Sequence, residues 1–199
     1  MKKLLIAGAL LIAAGGAAWM WKAQASDGAP ADGEGTRVSR EDAKMYEITR
    51  ASDMIVTGRV TGTRTEWVQD GRVLVTLASV DVADTLKGGA VESLTVAIPG
   101  GVDANRRFPV AMTYPDAARV SVNEDVVLFL SNDDLVPGAY AVTGSQLGKL
   151  SIVEDEAGER LVSRDNIGGK VKAAPGLVRG NRSFVPEAAF KQKVREYAN

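Results

Sequence analysis

Residues 52–89 read SDMIVTGRVTGTRTEWVQDGRVLVTLASVDVADTLKGG, the pattern of one long β-hairpin folded about Asp70-Gly71. That dipeptide suits a tight two-residue turn, which needs positive φ at both central positions. Folding there sets Trp67 opposite Leu74, Val60 opposite Asp81 and Ile55 opposite Leu86. The first arm, Met54–Gln69, is 16 residues, about 50 Å if straight, against about 5–6 residues for an ordinary strand. Such an arm must bend within a small domain, and Gly58 and Gly62 are where a bend or bulge costs least. Apolar residues fall on both faces: Val60, Val68, Val73, Val75 and Leu77 on one, Ile55, Trp67, Leu74, Val80, Val82 and Leu86 on the other. A flat, half-buried hairpin would confine them to one face. The fold expected is mainly β, a small, strongly bent antiparallel β-barrel in which this strand pair serves two sheets.

Composition removes much chemistry. The 199 residues are 45% apolar and 25% charged, average for a globular fold, but include no cysteine and no histidine. Disulfides, thiolate nucleophiles and cysteine-bound metals are excluded, and with them the usual general base at neutral pH and the commonest transition-metal ligand. Net charge is −1, unevenly placed: residues 26–163 carry −9 and residues 164–199 carry +5. The basic tail either lies against the acidic body or meets an anionic lipid or acidic partner.

Residues 1–25 look like an export segment. Lys2-Lys3 precede an apolar run of 18 residues, 4–21, followed by Lys22 and Ala23-Gln-Ala25. The charged start and the small-residue site match a secretory signal cleaved after Ala25. The length of the run, with Trp19 and Trp21 beside Lys22, matches a membrane tether equally well. Residues 26–38 are small and polar, a flexible linker. Ser39-Arg-Glu-Asp42 resembles a capping box, and a short helix is expected over Glu41–Ala51 with Met45, Ile48 and Ala51 on its apolar side. The barrel domain spans 39–164. Beyond the hairpin, strands are expected at Val91–Ile98, Asp125–Leu130, Ala139–Thr143, Lys149–Glu154 and Arg160–Ser163. The last two form a hairpin around Asp155–Gly158. Gly101–Asn123 is a long irregular loop, of the kind that often carries function. A Gly-rich basic arm, 165–183, leads to a C-terminal amphipathic helix, 184–199, opened by Pro186 and carrying Phe190, Val194 and Tyr197 on one face.

Ser52–Val60 (Ser-Asp-x-Ile-Val-x-Gly-x-Val), Leu86-Lys-Gly88, Pro99-Gly-Gly101, Val127–Leu130 and Gln146-x-Gly-Lys149 together resemble a family of small exported bacterial proteins. More distantly, the element order is similar to small barrels of the oligonucleotide/oligosaccharide-binding (OB) fold, including the netrin/protease-inhibitor branch. The resemblance implies an OB-like barrel in the periplasm or cell envelope and no inherited catalytic residues. The inhibitors of that branch use an N-terminal cysteine and disulfides, which this chain lacks.

No cofactor is expected. A hydrolase needs a nucleophile, a base and oxyanion donors, and a Ser–Lys pair cannot be recognised from spacing. Gly144–Lys149 falls one residue short of a phosphate loop and ends on Leu150 where a hydroxyl is required, so it reads as a turn. Asp103 with Asn105, and Asn132–Asp134, offer calcium-type oxygens but read as solvated turns. No nucleic-acid partner is expected for an exported acidic body. What remains is a binding module meeting an envelope protein or polymer, with Trp67, Arg106, Arg107, Phe108 and Tyr114 as its candidate surface. The alternative is an envelope hydrolase or inhibitor-like protein.

Overall fold

The long hairpin is present, and its bends come from bulges. The computed structural model describes residues 43–163 and 184–199. In it a helix, α1 (43–51), leads into β1 (Met54–Val68), which pairs antiparallel with β2 (Val73–Lys87). The connection is four residues, 69–72, rather than the expected two: Gln69, Asp70 and Gly71 all have positive φ, and the Arg72 N–H is shared by the carbonyls of Val68 and Gln69 at 3.2 Å. Trp67 does face Leu74, but Val60 faces Val80 and Ile55 faces Lys87, each one residue from expectation. The register shifts between Val60 and Gly62, between Thr57 and Gly58, and between Ile55 and Val56, leaving Thr61, Ala83 and Leu86 unpaired. Each extra residue bends the ladder and tightens its twist.

Those bulges redistribute the faces. Val60 joins Val80 and Val82 in one core with Met54, Val56, Leu94, Val96, Val126, Leu128 and Leu130. Val68, Val73, Val75 and Leu77 belong to a separate cluster with Ala97 and Ala139. Ile55 and Leu86 enter a further core with Val127, Phe129, Leu150, Ile152 and Val162. Alternate side chains of the same strands therefore feed cores on both sides of the sheet, and Ile55, Val56, Val60 and Val126–Leu130 are fully buried.

The remaining strands are β3 (Ser93–Pro99), β4 (Gly101–Asp103), β5 (Val110–Met112), β6 (Asp125–Asn132), β7 (Tyr140–Val142), β8 (Lys149–Glu154), β9 (Arg160–Ser163) and β10 (Phe184–Pro186). The large sheet runs β1-β2-β3-β7-β6-β8-β9-β10, and β1 pairs β6 as well as β2. Ile55–Arg59 is thus bonded along both edges. The β3–β7 pair is parallel, a departure from the all-antiparallel expectation. It arises because the chain crosses from β3 to β6 before returning to β7. The supposed loop 101–123 contains the β4–β5 hairpin. The β8–β9 hairpin is as expected, with Gly158 at φ 82°.

The resemblance motifs do structural work. Ser52 Oγ donates to the Ile48 carbonyl at 2.8 Å, and Asp53 accepts from the Asn132 N–H. Lys87 Nζ donates to the carbonyls of Thr49 (2.8 Å) and Ser52 (2.6 Å), a cation on the negative end of α1. Gly88 adopts φ 94°.

The C-terminal helix, α2 (Glu187–Ala198), is shorter than the expected 184–199: Phe184–Pro186 pairs with β9 as β10 instead, and Pro186 caps the helix rather than opening it. Phe190 and Val194 are buried, Phe190 edge-on to Phe129 with centroids 6.5 Å apart, and each contributes about 1.5–3 kcal/mol. Tyr197 is half-buried against Tyr46. Charges orient the helix: Arg195 pairs with Asp84 (2.8 Å), and Arg160 bridges Glu187 to Asp125, which also holds Arg59 at 2.6 Å. Hydrogen bonding from Arg59 outweighs burial and holds the Asp125 carboxyl below its ordinary range. Burial raises Glu187, but Arg160 and Lys191 overcome it and its value is lowered. The capping box at 39–42, the arm 165–183 and the segments 1–25 and 26–38 lie outside the described residues. Among those described, no helix is long and apolar enough to cross a membrane.

Gly58 and Gly62 both sit at register shifts, but they differ in what surrounds them. A Cβ on Gly58 would collide with the Asp81 carbonyl oxygen on β2, whereas one on Gly62 would meet nothing within 4 Å. Of the two glycines expected to allow the bend, only Gly58 is required by its surroundings. Gly58→Ala should destabilise by about 1–3 kcal/mol and Gly62→Ala by less than about 1 kcal/mol. Chemical denaturation showing equal costs would contradict this geometry.

Acid titration is a second check. Asp125 and Glu187 have folded values below their unfolded ones, so their stabilisation is complete above the unfolded values, about pH 4, and is lost as pH falls through the folded values. With no histidine or cysteine, no side chain ordinarily titrates between pH 5 and 8. The melting temperature should be flat from pH 8 to 5 and drop below about pH 4, with a shallower drop in Asp125→Asn. A steep loss between pH 7 and 5 would contradict the assignment.

Candidate functional site

The tip of the β1–β2 hairpin and the β4–β5 hairpin meet through one carboxylate. Thr65 Oγ1 donates to the Val102 carbonyl, and Thr76 Oγ1 donates to that of Gly100, so β4 lies across one face of the long arm. A Cβ on Gly101 would collide with both threonines, which is why glycine is needed at this crossing. Asp103, at the end of β4, then accepts from Trp67 Nε1 at 2.7 Å, from Arg106 Nε at 3.0 Å and from the Asn105 N–H at 3.1 Å. The Trp67 indole bond is the main cause that holds the Asp103 carboxyl below its ordinary range; burial opposes it, and Asn105 and Arg106 add to it. The Arg106 guanidinium lies 4.4 Å from the Trp67 ring centroid, a stacked cation–π contact.

Four of the five sequence-nominated residues come together here. Trp67 is half-buried beneath Arg106, and Arg107 sits 5.6 Å over the ring of Phe108, a residue 74% exposed. Tyr114 stands apart. It lines a cavity of about 410 Å³ with Thr76, Ile98, Met112, Ala118 and Ser121. Asp103, expected in a solvated turn, makes that turn's bond to the Asn105 N–H and spends the rest of its acceptor capacity on Trp67 and Arg106. Asp133 likewise accepts from the N–H groups of Leu135 and Val136. Among the described residues, no group of three His, Cys, Asp or Glu could hold a metal ion.

Two further constellations were not legible. A mainly apolar cavity of about 520 Å³ opens between α1 and residues 143–150, lined by Met45, Ile48, Phe129, Leu147 and Leu150. Its size is that of a small-molecule site, and Met45 and Ile48 on the apolar side of α1 were its only sequence signal. Separately, a Ser–Lys pair exists: Lys149 Nζ donates to Ser151 Oγ at 2.9 Å, and Ser151 donates to Glu124 at 2.7 Å. Lys149 also forms a close ion pair with Glu124, and the two side chains are 2% and 8% exposed. The ammonium is bound to a carboxylate and shut away from solvent. The Gly144–Lys149 stretch is a 3₁₀ turn, Ser145–Gly148, that runs straight into β8 without the helix a phosphate loop needs.

No family model, curated protein or solved structure matches the chain.

Proposed function

We propose that this is a non-catalytic exported cell-envelope protein, a binding module that meets an envelope protein or polymer through the barrel surface and the 101–123 segment. The observation that carries it is the Asp103 brace. Trp67, Asp103 and Arg106 form a fixed platform, and beside it Arg107 and a largely exposed Phe108 project from the β4–β5 connection. Held arginines next to an exposed aromatic ring are the residue types that dominate binding energy at protein interfaces. The strand order supports the OB-like barrel that presents them: the ladder β1-β2-β3-β7-β6 returns to β1. The leader at residues 1–25 supports export, with release after Ala25 or a tether through residues 4–21. The family resemblance rests on its motif residues alone, and the fold itself does not select a function.

The hydrolase alternative would draw on Ser151 and Lys149. A lysine acting as base must be neutral and reachable by substrate, whereas Lys149 is buried in an ion pair with Glu124. The binding reading is therefore preferred.

Proximity labelling in intact envelopes tests it. Arg106→Ala/Arg107→Ala/Phe108→Ala changes exposed side chains and should leave folding within about 1 kcal/mol of wild type. The wild-type chain should label a defined partner set that the triple variant loses. An unchanged set from a folded variant would remove this surface from the proposal.

A further inference from the structure

The outer half of β1 has an unpaired edge. Its inner half, Met54–Arg59, is bonded to β6, but Gly62–Val68 is paired only to β2. The direction of its backbone groups follows from two hydrogen bonds. Arg72 N–H donates to the Val68 carbonyl, so the groups of Val68 point toward β2. Gly100 N–H donates to the Leu74 carbonyl on the β3 side, so the Trp67–Leu74 pair is not hydrogen-bonded and the backbone groups of Trp67 point away from β2. By antiparallel alternation those of Thr63 and Thr65 point outward too. Three consecutive outward-facing residues thus offer N–H and C=O groups with no strand partner among the described residues. Thr63, Arg64, Thr65 and Glu66 are all exposed.

Natural edges are commonly protected by charges that repel a second strand. This edge has the opposite property. Arg64 and Glu66 flank Thr65 with opposite signs, and their side chains are 61% and 51% exposed. We propose that this edge pairs antiparallel with the same edge of a second copy of the chain, about a two-fold axis at Thr65. That register makes Thr65 face its own copy and Thr63 face Trp67 as hydrogen-bonded pairs. It sets each Arg64 against the other copy's Glu66 in the closer, non-hydrogen-bonded position, where cross-strand charges interact most strongly. The seven residues Gly62–Val68 are symmetric about Thr65 and stop where β6 begins to occupy the same edge. A two-fold pairing needs an element that complements itself, and Arg64-Thr65-Glu66 is one.

The test is sedimentation of the full chain in mild detergent over a concentration series. Wild type should show a reversible monomer–dimer equilibrium. Arg64→Glu places like charges together twice and should weaken dimerisation on the order of tenfold or more. Arg64→Glu/Glu66→Arg exchanges the signs and should restore it. Thr65→Pro removes the central outward N–H and should leave a monomer, as proline is tolerated on strand edges. Should Thr65→Pro misfold, the charge-exchange pair still decides. In a second measurement, Arg64→Cys/Glu66→Cys, in a chain otherwise free of cysteine, should give a disulfide-linked dimer in oxidising envelopes, and Glu92→Cys should not. A wild-type monomer at every concentration would overturn the proposal. So would a dimer indifferent to both the charge exchange and Thr65→Pro, or an edge that captures a different protein while the chain stays monomeric.

Discussion

The double bonding of Ile55–Arg59 is the constraint on which the rest of the structure depends. One strand is laced to β2 along one edge and to β6 along the other, with its side chains alternating between two cores. Gly58 lies within this segment, where the β2 backbone comes too close for any side chain. The bulges nearby let β2 bend away and carry on to β3, while the outer half of β1 projects toward the β4–β5 hairpin. α1 and α2 then cover the face that holds Ile55, Phe129 and Val127, α1 through Met45 and Ile48 and α2 through Phe190 and Val194.

Much of this was legible in the sequence, and what was not has physical reasons. Turn chemistry located the two hairpins, because Asp70-Gly71 and Gly158 are residues that tolerate positive φ. The DVVLFL run marked β6 by its unbroken apolar character. The faces of the long arms were not legible past Thr61, because a bulge needs no special residue and reverses every side chain beyond it. The parallel β3–β7 pair and the β4–β5 hairpin depend on contacts between distant segments and have no local signature. The candidate surface was partly legible: exposed arginines and an aromatic in a long loop suggested contact. Asp103 was the missing piece, since its partner Trp67 is 36 residues away in the chain.

Charge plays different roles in different places. Around α2, Arg59, Asp125, Arg160 and Glu187 form a chain of half-exposed pairs that sets orientation, while Phe190 and Val194 supply the burial. At Lys149, Glu124 and Ser151 the pair is buried and satisfied, so that losing either ion would strand the other at a cost of about 3–5 kcal/mol. At Asp103 the charge is spent on positioning Trp67 and Arg106.

Native-state hydrogen exchange tests the central claim most directly. If the doubly bonded strand holds the fold together, amides of Ile55–Arg59 and Val126–Leu130 exchange last, with one shared free energy equal to that of global unfolding. Amides of Gly101–Asp103 and Val110–Met112 exchange well before them. Early exchange across Ile55–Arg59, or protection of β4 and β5 equal to that of β1 and β6, would contradict the account.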